Sequence, residues 1–202
     1  MAILAASMFG PLLRGEKVTL RPARENDAEH FVRWFADTEV TRFLARRMAI
    51  SLQQEQEFLK KVGESKDDVW WVIEADGKAI GATGIHGINW LDANGTTGIV
   101  IGEKTSWGKG YATEAMQLRT RYAFRELNLH KLTTEVDTEN EASRKALERN
   151  GYGTVGIRRD QSFREGRWRD RWLGEVLRDT RFGEGPWDDR RPPIQELLHG
   201  VG

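Results

Sequence analysis

A short segment in the middle of the chain, residues 107–113, has the composition of a phosphate-binding turn. It reads Trp-Gly-Lys-Gly-Tyr-Ala-Thr and lies between a predicted strand and a predicted helix. Gly108 and Gly110 lack a Cβ atom, so the backbone can approach a ligand closely there. The free N–H groups and partial positive charge at the start of the next helix suit a pyrophosphate. Lys109 adds a cation and Thr113 adds a hydroxyl group.

The two common nucleotide-binding motifs do not fit this segment. The phosphate loop of nucleotide hydrolases needs Gly-Lys-Ser/Thr after a wider spacing, and the dinucleotide motif needs a third glycine where Thr113 stands. A dinucleotide site would also come early in a parallel sheet. A glycine-rich turn before a helix is more often only a turn, so this segment alone leaves both interpretations open.

Hydrophobic periodicity and turn residues predict seven strands and four helices. Their order is strand, two helices, three strands, helix, strand, helix and two strands, which indicates one α/β domain with a mixed central sheet. Asp76-Gly77 and Glu165-Gly166 predict hairpin turns, and Ser51 with Gln54 predicts a capping box. The predicted strands are 18–21, 69–75, 78–90, 97–102, 131–137, 152–164 and 167–177, and the predicted helices are 26–35, one from 51, 109–127 and 140–150.

The composition excludes several classes of protein. The 202 residues include no cysteine, which excludes disulfides, a thiolate zinc site and a cysteine nucleophile. The 31 basic and 31 acidic residues give no net charge, so nucleic acid is not an expected partner. No apolar run approaches the roughly 20 residues of a membrane span, and no signal-peptide pattern precedes residue 14, so we expect a cytoplasmic protein. We predict a loose N-terminal arm over residues 1–14 and an irregular tail over 179–202.

Four segments carry a family resemblance when they are taken together. They are Ile99-Val-Ile-Gly-Glu, residues 107–115, Tyr122-Ala-Phe, and Asn140-Glu-Ala-Ser143 with Asn150-Gly-Tyr152. This set resembles the GNAT N-acetyltransferase superfamily, most closely its ribosomal-protein N-terminal acetyltransferase group, over residues 15–178. The resemblance implies an acetyltransferase domain with a mostly antiparallel sheet, splayed between its fourth and fifth strands.

The resemblance also implies an acetyl-CoA site in that cleft, with no metal. Its implied contacts are Ile99, Val100, Ile101, Trp107, Gly108, Lys109, Gly110, Tyr111, Ala112, Thr113 and Asn140. In the family's loop motif, Gln/Arg-x-x-Gly-x-Gly/Ala, Trp107 stands in place of the first residue, Gln or Arg. This weakens one side-chain contact with the cofactor, but the backbone groups around the pyrophosphate are kept, because the glycines provide them. Ser143 would point at the thioester sulfur and act as proton donor, because Leu147 stands where many relatives carry tyrosine. Helix capping by Asn140 would also explain the spacing of Asn140 and Ser143 without any chemistry.

Acetyl transfer to an amine needs a base, because an amine of pKa about 10.4 is almost entirely protonated at pH 7. His86 on the third predicted strand and Glu135 on the fifth are the candidates, and the sequence ranks neither above the other. Thr97 stands where some relatives carry a glutamate. The absence of cysteine fits a direct transfer in a ternary complex rather than a cysteine acyl enzyme.

These observations predict an acetyl-CoA-dependent N-acetyltransferase that acts on a primary amine, either a protein N-terminus or a small molecule. The alternative is a catalytically silent acyl-CoA-binding regulatory module, because the tyrosine is absent and the base undefined. A third hypothesis, an RNA-associated protein, rests only on the arginine-rich hairpin of residues 158–171, for which a solvated surface is the better explanation. A homodimer is predicted from the family alone.

Overall fold

A computed structural model describes residues 9–178, so the predicted tail and residues 1–8 of the predicted arm lie outside the described residues. The described chain forms one sheet of eight strands, five α-helices and the 3-10 turn Lys104–Ser106. The strands are β1 Leu13–Arg14, β2 Thr19–Arg21, β3 Val69–Ala75, β4 Lys78–Asn89, β5 Asn94–Ile101, β6 Lys131–Asp137, β7 Gly153–Arg164 and β8 Arg167–Leu177. The helices are α1 Asp27–Phe35, α2 Thr38–Thr41, α3 Leu52–Glu64, α4 Tyr111–Arg125 and α5 Glu141–Arg149.

The sheet has the order β1-β2-β3-β4-β5-β6-β8-β7, and β5 and β6 are its only parallel neighbours within residues 9–178. This architecture confirms the predicted mixed, mostly antiparallel sheet. Strand β1 comes from the predicted arm and pairs with β2, while Phe9 bridges to Trp70 on β3. Because of β1, the predicted fourth and fifth strands are β5 and β6.

Strands β5 and β6 pair only at their first residues. Asn94, Gly95 and Thr96 stand opposite Lys131, Leu132 and Thr133. Beyond those pairs β5 continues to Ile101 and β6 to Asp137 with no shared ladder. The strands therefore separate, and each presents an edge of backbone N–H and C=O groups without a strand partner.

Each face of the sheet carries its own hydrophobic cluster. Trp71 and Met116 belong to the cluster between the sheet and helices α4 and α5. Trp70 and Phe31 belong to the cluster between the sheet and helices α1 and α3. Neighbouring residues of a strand point to opposite faces, so the pair Trp70-Trp71 contributes one large side chain to each cluster.

Local expectations are confirmed at the turns and differ at element ends. Asp76 and Gly77 have φ of 50° and 70°, as a type I′ hairpin requires, and the capping box of Ser51 and Gln54 forms. Helix α4 begins at Tyr111 rather than 109, because Gly110 is left-handed. Strand β5 begins at Asn94 rather than 97, because its first residues pair with β6. No helix within residues 9–178 has the length and apolar character needed to cross a membrane.

Candidate active site

The separation of β5 and β6 opens a cavity of about 210 Å³ that both faces of the sheet share. One side belongs to α4 and to the first turns of α5. The other side belongs to the segment that follows α2 and to β8. The lining residues are Phe43, Leu44, Ala45, Thr97, Gly98, Ile99, Met116, Arg119, Thr134, Glu135, Val136, Asp137, Asn140, Ser143, Leu147 and Arg171.

The start of α4 is an open helix N-terminus. Gly108 and Gly110 have φ of 76° and 83°, in the left-handed region that favours glycine. Gly110 is the N-cap residue, and no side chain caps this end of the helix. The first N–H groups of a helix have no partner inside the helix, so here they remain available to an anion. The residues therefore fit the pyrophosphate that the sequence predicts at this turn.

Two side chains, those of Trp107 and Glu114, hold this loop and its surroundings in place. The indole Nε1 of Trp107 donates a hydrogen bond to the carbonyl oxygen of Ile101 at 2.8 Å, which ties the loop to the end of β5. The carboxylate of Glu114 accepts hydrogen bonds from the backbone N–H groups of Glu16, Lys17 and Val18, at 2.7, 2.8 and 2.9 Å. This anchors the β1–β2 hairpin on α4 and leaves Lys17 Nζ 3.5 Å from the position that a Cβ of Gly110 would take.

The start of α5 contrasts with that of α4, because a side chain caps it. The Oδ1 atom of Asn140 accepts a hydrogen bond from the N–H group of Ser143 at 3.2 Å. The Ser143 hydroxyl lines the cavity and has no hydrogen-bond partner among the described residues. Leu147, one turn further, is 2% exposed and closes the cavity with an apolar wall. Ser143 is therefore the free hydroxyl at this end of the cavity.

The three predicted strand residues alternate between the faces of the sheet. Ile99 and Ile101 pack against the α4 and α5 cluster, with Ile99 also lining the cavity, and Val100 packs against the cluster on the opposite face. The carbonyl oxygen of Thr97 points towards β6, where the Thr134 hydroxyl donates to it at 3.2 Å. Backbone groups alternate along a strand, so the N–H group of Ile99 points the same way, into the opening.

The two predicted bases differ in position. Glu135 lines the cavity, but its Oε1 lies 2.5 Å from Arg158 NH1 in an ion pair. His86 is not among the lining residues; its Nδ1 lies 3.5 Å from Asp68 Oδ1. Its Nε2 lies 3.6 Å from the position that a Cβ of Gly98 would take. Burial lowers the pKa of His86, and the opposing charge of Asp68 only partly restores it, so the imidazole is neutral at pH 7.

Sequence reasoning missed Arg119, a buried guanidinium beneath the cavity. It is 1% exposed and donates to the Thr83 hydroxyl at 2.7 Å and to the Gly98 carbonyl at 2.9 Å. Complete burial lowers the pKa of this guanidinium, and contact with Tyr152 opposes that effect. The sequence does carry a signal for this residue. Arg119 lies between Met116 and Ala123 on the apolar face of α4, where a charged residue indicates a specific buried partner.

The arginine-rich hairpin is only partly the solvated surface that the sequence suggested. The side chains of Arg158 and Arg167 are 52% and 58% exposed, as that interpretation expects. In contrast, the side chain of Arg169 is fully buried between Asp137 and the ring of Phe43. Arg171 is half-buried and lines the cavity. Trp172 packs into the cluster of α4 and α5 on one face of the sheet. Because neighbouring strand residues alternate between faces, the odd-numbered residues Arg169 and Arg171 lie on the other face.

Comparison with known proteins decides the family. Residues 17–153 match the family model described as an acetyltransferase (GNAT) domain. The chain belongs to the GNAT family. It is 26% identical over 168 residues to N-acetyltransferase p20 of Bacillus licheniformis, covering 81% of this chain and 94% of that protein. It is 27% identical over 153 residues to spermidine N(1)-acetyltransferase of Escherichia coli, covering 76% of this chain and 82% of that protein.

Solved GNAT structures share the fold. Spermidine N-acetyltransferase from Vibrio cholerae, in complex with CoA and spermine, matches with a TM-score of 0.77 and 22% identity, covering 82% of this chain and 98% of that one. The ribosomal α-N-protein acetyltransferase RimL, in complex with coenzyme A, matches with a TM-score of 0.74 and 15% identity, covering 84% and 99%. The protein is thus a GNAT acetyltransferase, and its fold is shared by acetyltransferases that are named for different acceptors.

Proposed function

We propose that this GNAT protein moves an acetyl group from acetyl-CoA directly to a primary amine in the cavity between β5 and β6. One observation carries the proposal. The open edge of β5 and the free hydroxyl of Ser143 line one cavity, and the uncapped start of α4 follows the end of that strand, to which Trp107 ties the loop. Acetyl-CoA would supply the thioester carbonyl that the amine attacks.

Both backbone groups and side chains of the protein would bind acetyl-CoA. The N–H groups at residues 108–113 would hold the pyrophosphate, with Lys109 and Lys17 as nearby cations. Ile99 would contact the thioester-bearing arm along the open edge of β5. Trp107 takes the first place of the family loop motif but already donates its N–H to Ile101, so it would brace the loop rather than bind phosphate.

Two groups would stabilise charge as the acetyl group moves. The N–H group of Ile99 points into the opening and would stabilise negative charge on the carbonyl oxygen. The hydroxyl of Ser143 would donate a hydrogen bond or proton to the departing sulfur. Because Ser143 lies in the first turn of α5, the helix dipole there would also favour a developing thiolate.

His86 is the base that we favour. It is neutral at pH 7, whereas the charge of Glu135 is already paired with Arg158, which weakens that carboxylate as a proton acceptor. His86 lies beside Gly98, which lines the cavity and has no side chain to separate the imidazole from it. The proton would pass from the acceptor amine to Nε2 along this gap, through a water molecule where the distance requires one.

Two classes of acceptor amine are candidates, and each is supported by a different resemblance. The sequence segments favour the ribosomal-protein N-terminal acetyltransferases and therefore a protein N-terminus. The relatives include spermidine acetyltransferases, which suggests a small-molecule amine. The predicted homodimer and cytoplasmic location stay predictions.

One feature favours the second candidate function, a silent acyl-CoA-binding module. The apolar Leu147 fills the place of the family tyrosine, and Ser143 is the one hydroxyl that replaces it on α5. Release of free thiol from acetyl-CoA across a panel of amines separates the two functions. The chain has no cysteine, so the protein gives no background in this assay. We expect amine-dependent thiol release; acetyl-CoA binding without such release would support the silent module.

A further inference from the structure

The side of the cavity away from α4 and α5 carries charged side chains, and we call it the acceptor end. Phe43–Ala45, Glu135 and Arg171 form its wall. The nearby carboxylates already have arginine partners. Glu135 pairs with Arg158 at 2.5 Å, Asp137 with Arg169 at 3.7 Å, and Glu139 with Arg167 at 2.6 Å.

Three guanidinium groups at the acceptor end have no carboxylate partner within residues 9–178. Arg171 is half-buried and makes neither an ion pair nor a hydrogen bond with its side chain. Arg164 donates to the backbone carbonyls of Leu44 and Arg46, and Arg47 is exposed without an ion pair. Positive charge therefore exceeds negative charge at this end of the cavity.

These guanidinium groups lie close enough to repel one another. Burial lowers the pKa of Arg164, and the nearby charges of Arg47, Arg171 and Arg169 lower it further. Asp137 opposes the shift without reversing it. Clustered like charges that the fold does not neutralise favour an anion from outside.

We propose that Arg171 binds a carboxylate of the acceptor, so that this enzyme acetylates amines that also carry a carboxylate. The inference rests on the proposed function and names its substrate class. A guanidinium binds a carboxylate through two parallel N–H···O bonds, which gives geometric selectivity as well as attraction. A polyamine would instead bring ammonium groups against uncompensated arginines, which is repulsive. The carboxylate could belong to a free amino acid or to an acidic residue near a peptide N-terminus.

A matched set of acceptors tests this inference. Pentylamine, 5-aminopentanoate and cadaverine each carry a primary amine on a five-carbon chain and differ in a neutral, negative or positive far end. The two equivalent amines of cadaverine favour it only by a statistical factor, which works against the expected order. We expect kcat/KM for 5-aminopentanoate to exceed that for cadaverine at least about 10-fold, with pentylamine between them. The amidated peptides Ala-Glu-Ala and Ala-Lys-Ala provide the second arm. A preference for the acidic member in only one arm identifies the source of the carboxylate.

Charge reversal at one residue sharpens the test. We expect Arg171→Glu to reverse the order, so that cadaverine or the lysine peptide becomes the better acceptor, and Arg171→Lys to keep a weakened preference. Arg159→Glu makes the same charge change at an exposed arginine of the same hairpin that does not line the cavity, and it should keep the wild-type order.

The possible outcomes distinguish a failure of this inference from a failure of the proposed function. Equal or better use of cadaverine and the lysine peptide by the wild-type protein overturns the carboxylate inference and leaves the acetyltransferase proposal standing. Equal effects of Arg171→Glu and Arg159→Glu overturn the role of Arg171. Acetyl-CoA binding without acetylation of any member of either arm contradicts the proposed function, and the inference falls with it.

Discussion

The two sides of the cleft differ in the chemical groups that they offer to a ligand. The side of α4 and α5 offers backbone N–H groups, two left-handed glycines and one free hydroxyl. The acceptor end offers charged side chains from segments far apart in the chain, among them Glu135 and Arg171. A backbone site is encoded in one short run of residues, whereas a side-chain site is assembled by the fold. The first is therefore visible in the sequence, whereas of the second the sequence indicates only Glu135.

Loss of the favoured base should give the largest effect. A positioned base contributes about 10²–10⁴-fold, so we expect His86→Gln to lower kcat/KM at pH 7 by about that factor. The pH profile should change as well. In the wild-type protein kcat/KM should rise with pH and level off above a pKa lower than the usual 6.5 of histidine, because burial lowers the pKa of His86. Without the base, only the neutral amine reacts, and the rise should continue towards the amine's own pKa near about 10.

Glu135→Gln is the matched control for that profile. It removes the other candidate base and leaves His86 in place. A profile that loses its plateau in Glu135→Gln and keeps it in His86→Gln would assign the proton transfer to Glu135 instead.

Loss of the Ser143 hydroxyl should give the next largest effect. We expect Ser143→Ala to lower kcat about 10- to 1,000-fold and to change acetyl-CoA affinity far less, because its role is in the departure of the sulfur. The helix should persist, since its cap is the Asn140 side chain. Ser51→Ala is the matched control; it removes the cap of α3 and should cost about 1 kcal/mol of stability while kcat stays unchanged. A wild-type kcat in folded Ser143→Ala would show that the serine is structural.

The anchor of the β1–β2 hairpin should give a smaller effect, on stability. Glu114→Ala removes a carboxylate that accepts hydrogen bonds from three backbone N–H groups. We expect the free energy of unfolding in urea to fall by about 1–3 kcal/mol. Glu126→Ala, at an exposed residue just after the same helix, should change it by less than about 0.5 kcal/mol. Equal losses in the two variants would contradict the anchoring role.

The sequence predicted those parts of the molecule that local physics determines. The hairpin turn at Asp76-Gly77, the capping box at Ser51 and the uncapped glycine start of α4 depend on residues a few positions apart. Phe43 and Arg171 are 128 positions apart and come together only because β8 pairs with β6 and the segment after α2 packs against the β7–β8 hairpin. The sequence therefore showed an arginine-rich hairpin without showing that one of its arginines faces the cavity.

The most direct test of the account is the affinity of the start of α4 for acetyl-CoA, measured by calorimetry on Gly110→Val. A β-branched side chain disfavours the left-handed backbone of Gly110 and covers the N–H groups that would hold the pyrophosphate. Gly77→Val places the same side chain at a left-handed hairpin glycine with open space around it, so it controls for strain alone. We predict that acetyl-CoA binds at least about 30-fold more weakly to Gly110→Val, the loss of about 2 kcal/mol of hydrogen bonding to a charged group, and unchanged to Gly77→Val. Wild-type affinity in a folded Gly110→Val protein would contradict the placement of the cofactor and, with it, the proposed use of the cleft.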